Sequence, residues 1–274
     1  MLEKVKTEMD PLLVPTKAEW EKMSTSEQNQ VENRIIAALE YESGLMGEST
    51  VHYEGRVSAT EVLKRYFAKE GRKVFIASDL NTLYPGEKAF YPDLLVVFDV
   101  EDHHRRSWNV LKEKKGLDFV LEVLSPNSKR NDKVDKMNLY ARLNIPEYFF
   151  FDPDMMELRG FQLIDGTYRE VQKQDSGVYS GILGLFLSIE GWKIRFINPH
   201  GLEILFTDEL IQNLNEKLAQ KDKLIKEYVR LYEEEQAEKE KEQELKERER
   251  TEKEKERAEK ERLLEILKKH GIDA

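Results

Sequence analysis

Apolar positions along this chain keep two periods. Val31, Ile35, Ala38 and Leu39 recur at three- and four-residue steps, which predicts a helix near Ser26–Leu39. Val57–Lys69 repeats the spacing with Val62, Leu63, Tyr66 and Phe67 on one face, and Gly71 stands where a helix C-cap is expected. The pattern then shortens. Val74–Ala77, Asp93–Asp99, Asp118–Leu124 and Glu147–Asp152 are brief runs dense in Val, Leu and Phe, as strands buried on both faces require. Between the last two, Asn131–Leu143 returns to helical spacing, with Val134, Met137, Leu139 and Tyr140 expected to face inward and Pro146 ending it. From Pro153 to about Ile204 the runs read as short antiparallel strands, with turns at Asp165-Gly166, Ser176-Gly177 and Glu190-Gly191. These elements make an α/β body, a mixed central sheet flanked by helices with a β-rich C-terminal half.

A long charged helix follows Thr207. Ile211, Leu214, Leu218, Ile225, Tyr228 and Tyr232 form an apolar seam with Lys221 inside it, which suits a two-stranded coiled coil. Beyond Glu233 the seam gives way to dense Glu, Lys and Arg, a composition that holds helix through i,i+4 pairs rather than burial. A helix from Asp208 to Lys269 would extend roughly 90 Å at about 1.5 Å per residue. The expected division is a polar, partly helical extension over 1–50, a body over 51–206, and the charged helix over 207–274.

Composition narrows the function classes. Among 274 residues there is no cysteine, which removes disulfides, thiolate zinc sites and cysteine nucleophiles. No run of eighteen apolar residues and no signal-type N-terminus is present, so a cytoplasmic location without membrane contact is expected. The net charge of −10 opposes broad nucleic-acid binding. It is unevenly spread, however: residues 1–50 are net acidic and residues 103–142 net basic.

The chemistry gathers in that basic region. Asp93 and Glu122 each adjoin an apolar strand, and Lys133 and Lys136 lie on the helix that follows. Two carboxylates and a lysine suit phosphodiester hydrolysis with a bound divalent ion, because magnesium accepts one or two carboxylates and keeps several waters. A lysine beside them can orient or deprotonate the attacking water. Each residue also has a plainer use. Asp93 could cap the turn after Pro92, Glu122 could answer a buried base, and Lys136 could be only an ion-pair partner. Ser125 has no histidine near it, and the histidines at 52, 103, 104, 200 and 270 lack metal-ligand spacing.

The run PDLLVVFD, then DFVLEVLSPNSKRNDKVDKMNLYARLNIPEYFFFDP, resembles the Uma-two family of the PD-(D/E)XK nuclease-like superfamily. The likeness covers roughly residues 50–206. HHRRSW at 103–108 is similar to an arginine-containing loop of one branch, and the tail ending LLEILKKHGIDA is similar to tails found on such proteins. The resemblance implies a restriction-endonuclease-like fold and a DNA-cleaving enzyme using Mg²⁺ or Mn²⁺, with Asp93 and Glu122 as metal ligands. Leu124 stands where the general pattern has a lysine. The family resembled shares that absence and takes its lysine from the next helix, which maps to Lys136. His52 matches a histidine frequent in the family, and Glu61 offers an accessory carboxylate. Two function classes are open: a metal-dependent endonuclease, and a non-catalytic binding or scaffold protein. A homodimer through the C-terminal helix is expected in either case.

Overall fold

The computed structural model describes residues 10–43, 50–124 and 130–269, apart from the side chains at 42, 43, 51, 52, 130–132 and 267–269. Ser125-Pro126, the side chains of His52 and Asp132, and His270-Gly271 therefore lie outside the described residues. The chain divides into two compact units, residues 1–207 and 208–274.

The first unit begins with two capped helices, α1 (Lys17–Trp20) and α2 (Thr25–Ser43). Ser24 and Glu27 cap α2 reciprocally, with Ser24 N–H donating to Glu27 at 2.8 Å and Glu27 N–H donating to Ser24 at 3.3 Å. Ile35 and Leu39 of α2 are buried against Leu12, Val14, Leu83 and Ala89, so the N-terminal segment is packed onto the body. Helix α3 (Thr50–Lys69) starts about two turns earlier than the apolar spacing alone suggests, and Gly71 just beyond it, with a φ of +66°, closes the helix.

There follow β1 (Val74–Ala77), β2 (Thr82–Leu83), β3 (Leu94–Phe98), β4 (Trp108–Asn109), α4 (Val110–Glu113), β5 (Phe119–Val123), α5 (Arg130–Arg142), β6 (Glu147–Asp152), β7 (Glu157–Ile164) and β8 (Thr167–Glu170). The main sheet has six strands in the order β1-β3-β5-β6-β7-β8. Only β5 and β6 pair in parallel, joined across α5; the other pairs are antiparallel. A second sheet of four antiparallel strands comprises β9 (Lys173–Gln174), β10 (Gly177–Ser180), β11 (Leu185–Glu190) and β12 (Lys193–Ile197). The architecture is the mixed α/β one expected.

Strand alternation sorts the core into two layers. Leu94, Val96, Phe119, Leu121, Phe149 and Phe151 face α3 and the second sheet. Leu95, Val97, Val120, Tyr148 and Phe150 face the opposite way, toward Trp108 and Tyr140 of α5. Glu147 ties the two sheets together. Its carboxylate accepts the Ser180 hydroxyl and the N–H groups of Gly181 at 2.8 Å and Ile182 at 3.3 Å.

One inward assignment fails. Val134 is 53% exposed, because the stripe of α5 that meets the sheet carries Lys133, Lys136, Met137 and Tyr140. Val134 is one residue, about 100° of helix, away from Lys133. Two lysines hold the positions that an apolar helix would give to Val or Leu.

The net-basic loop is also engaged internally. Arg105 donates to Glu113 at 2.8 and 3.2 Å, and its guanidinium lies over Phe75 and Trp108 at 4.5 and 4.9 Å. Arg106 reaches Asn33 at 2.9 Å, Ser107 reaches Glu32 at 2.5 Å, and Lys112 also pairs with Glu32. This loop clamps α2 onto the sheet.

The second unit belongs to α6 (Thr207–Lys269). Ile211, Leu214, Leu218, Ile225, Tyr228 and Tyr232 are all exposed on it. Lys239 pairs with Glu235 at 2.6 Å and Lys246 with Glu242 at 2.6 Å, the i,i+4 support that the charged composition provides.

Candidate active site

Asp93 and Glu122 come together because β3 and β5 are antiparallel neighbours. Leu94 pairs with Leu121, and one further step of that register sets Asp93 opposite Glu122. Asp93 Oδ2 accepts the Val123 N–H at 2.7 Å, which fixes the aspartate to the end of β5. Glu122 is 1% exposed. Burying a carboxylate without partners is costly, and here both oxygens are answered. Lys136 Nζ lies 2.7 Å from Oε2, and the Tyr140 hydroxyl donates to Oε1.

A second acid–base pair stands beside the first. Asp152 ends β6 on the same sheet face and accepts Lys133 at 2.5 Å and the Met155 N–H at 3.2 Å. The lysines one turn apart on α5 are thus shared out, Lys136 to β5 and Lys133 to β6. Sequence reasoning missed Asp152 and the Tyr140 hydroxyl. Asp152 could have been found as a second carboxylate closing an apolar strand opposite a lysine. Tyr140 follows Lys136 at i+4, so its hydroxyl shares the lysine's face of the helix. Glu61 points elsewhere, accepting the Thr207 hydroxyl.

Burial pushes Glu122 up to about 7; the nearby charge of Asp93 adds to this, while Lys136 and the Tyr140 hydroxyl oppose it. Burial also works against a charged Lys136, but Glu122 and Asp93 outweigh it and hold the ammonium above its ordinary range. Tyr140 and Tyr148 are pushed well up, chiefly by burial and then by Glu122.

A pH dependence of stability follows from the raised glutamate. Unfolded, Glu122 loses its proton near 4.5; folded, it keeps it to about 7. Between those values the folded state binds more protons, so this residue's contribution to stability falls as pH rises through the window and is level above it. Glu122→Gln removes the titration. Thermal melts from pH 4.5 to 8 should show the variant gaining on the wild type up to about pH 7 and holding a constant difference beyond it. A constant difference across the whole range would contradict this.

Among the described residues, no three His, Cys, Asp or Glu side chains cluster as a metal-holding group. The facing pair Asp93 and Glu122 nevertheless fits a hard divalent ion. Both are oxygen ligands at one buried spot, and magnesium needs no more than one or two carboxylates with water completing its shell.

These residues lie within a recognised segment. A family model, Uma2, described as "Putative restriction endonuclease", matches residues 45–190, more than half of the chain. The chain belongs to the Uma2 family. Asp93, Glu122, Lys136, Tyr140 and Asp152 all fall inside the Uma2 segment, whereas α2 and the whole of α6 fall outside it. No curated protein matches the sequence. Among solved structures, this Uma2 chain is similar to a protein of Anabaena variabilis ATCC 29413 titled a "putative nuclease belonging to DUF820". Identity is 15% and the TM-score 0.44, over 54% of this chain and 82% of that one.

Proposed function

We propose that this Uma2 protein is a metal-dependent endonuclease that hydrolyses DNA phosphodiester bonds with Mg²⁺ or Mn²⁺. The observation that carries the reading is the pair of buried carboxylates, Asp93 and Glu122, set opposite each other with Lys136 bonded to one of them. Asp93 and Glu122 would hold the ion. When bound, such an ion lowers the pKa of its water and offsets charge on the phosphoryl oxygens. Lys136 is the group able to orient the attacking water and oppose the negative charge that develops as a P–O bond forms and the bond to the leaving alkoxide breaks. Tyr140 keeps the Glu122 carboxylate in one plane. Incubating the purified protein with supercoiled plasmid and Mg²⁺ or Mn²⁺ should yield nicked and then linear DNA. Plasmid left intact with either metal would overturn the proposal.

A second reading is a non-catalytic scaffold. It is favoured by the fact that both Glu122 oxygens are already bonded by protein donors. In either reading, we propose that α6 pairs with a second copy through its exposed seam from Ile211 to Tyr232. Truncation after Phe206 should leave the melting transition of the body in place and take the particle seen by light scattering from two chains to one. An unchanged mass per particle, allowing for the residues removed, would contradict that. The lack of cysteine fits a reducing, cytoplasmic setting. Among the described residues, no helix is long and apolar enough to cross a membrane.

A further inference from the structure

We infer that Lys136 occupies the place on Glu122 that a divalent cation takes, so that binding the cation releases the ammonium from the carboxylate. The inference rests on the metal-dependent reading above. Its starting point is the occupancy of Glu122: Oε1 is held by Tyr140 and Oε2 by Lys136 at 2.7 Å. A cation ligated by this carboxylate shares an oxygen with one of the two donors, and what decides whether that donor stays is its charge and its freedom to move.

The two donors differ in their freedom to do so. Tyr140 is 1% exposed, and its ring packs against Tyr148 at 5.2 Å and Phe90 at 5.7 Å between centroids. Moving it would open the core beneath α5. The Lys136 side chain is 42% exposed and unbranched, and it can swing its ammonium toward water while α5 stays in place. Oε2 is therefore the oxygen that becomes available.

Charge points the same way. A divalent ion in place of the ammonium brings one more positive charge to the facing carboxylates of Asp93 and Glu122. Ion and ammonium together on one carboxylate oxygen would put like charges in contact in a buried site. Displacement also gives the lysine its second use. Once off Glu122, the ammonium has lost its anionic partner beside a cation, and an incoming phosphodiester supplies another. Lys133 shares the helix but lies on Asp152, so it serves as an internal reference.

Lysine acetylation read by mass spectrometry tests this on the full chain, with Mg²⁺ binding measured separately by titration calorimetry. If the inference holds, saturating Mg²⁺ raises the acetylation rate of Lys136 relative to Lys133 by about tenfold or more, as expected for breaking a charge-assisted hydrogen bond. In Glu122→Gln the Lys136 rate should already be high and should not respond to Mg²⁺. Binding of Mg²⁺ with an unchanged Lys136 rate in the wild type would overturn the displacement while leaving the metal site standing. No binding heat and no rate change would remove the metal reading and this inference together. The wild-type comparison is sufficient by itself if the variant does not fold.

Discussion

Replacing Glu122 with glutamine is expected to reduce plasmid nicking by at least about a hundredfold, the scale of losing one preorganised electrostatic contact at a reacting centre. Glutamine keeps the shape of the side chain and can still accept from Tyr140, so the fold should survive. What it removes is the charge. A neutral amide neither binds a hard cation well nor holds the Lys136 ammonium, so both the metal and the lysine lose their anchor in one substitution. The loss should not be recovered by raising the Mg²⁺ concentration, because the ligand is missing rather than under-occupied. The measurement is the initial nicking rate at saturating metal, alongside a thermal melt. A variant that melts like the wild type and nicks at the same rate would end the catalytic role of Glu122 and favour the scaffold reading.

Phe149→Ala should destabilise the body by about 3–5 kcal/mol, the usual range for emptying a buried aromatic position. Phe149 lies at the centre of β6 and is fully buried in the layer between the two sheets. Its ring packs against Phe119 at 5.2 Å and covers Gly160, where an added Cβ would meet the ring at 2.5 Å. The ring fills the space that a side chain at 160 would otherwise take, and alanine at 149 would leave that space empty on two sides. Urea unfolding followed by tryptophan fluorescence provides the measurement. A loss below about 1 kcal/mol would mean that the sheets close over the gap, against the rigidity expected of such a core.

The strands were legible because burial on both faces leaves few residue types. The runs Leu94–Phe98, Phe119–Val123 and Glu147–Asp152 are wholly buried, and their composition says so. Glu122 stood out for the same reason, being a carboxylate where the pattern asks for Val or Leu. The helix between them was legible as an element but misleading in detail. Its spacing favoured Val134 as an inward residue, whereas Lys133 takes that side of the helix; Lys136 faces the sheet, as the flanking Met137 and Tyr140 lead one to expect. The basic stretch around Arg105 showed only as net positive charge, whereas in the fold Glu113 and the rings of Phe75 and Trp108 hold that arginine. Side chains several elements away decide such pairings.

The residues themselves therefore determined which segments become strands and which carboxylates are exceptional, since local burial and periodicity are properties of consecutive positions. Which donor meets which acid was settled only in three dimensions. Because β5 and β6 run parallel beneath α5, two lysines one turn apart on that helix meet acids on neighbouring strands, Lys136 with Glu122 and Lys133 with Asp152. Tyr140 reaches Glu122 across the same crossover. Those contacts join residues 14 to 19 positions apart, at distances fixed by strand spacing and helix placement rather than by their order along the chain.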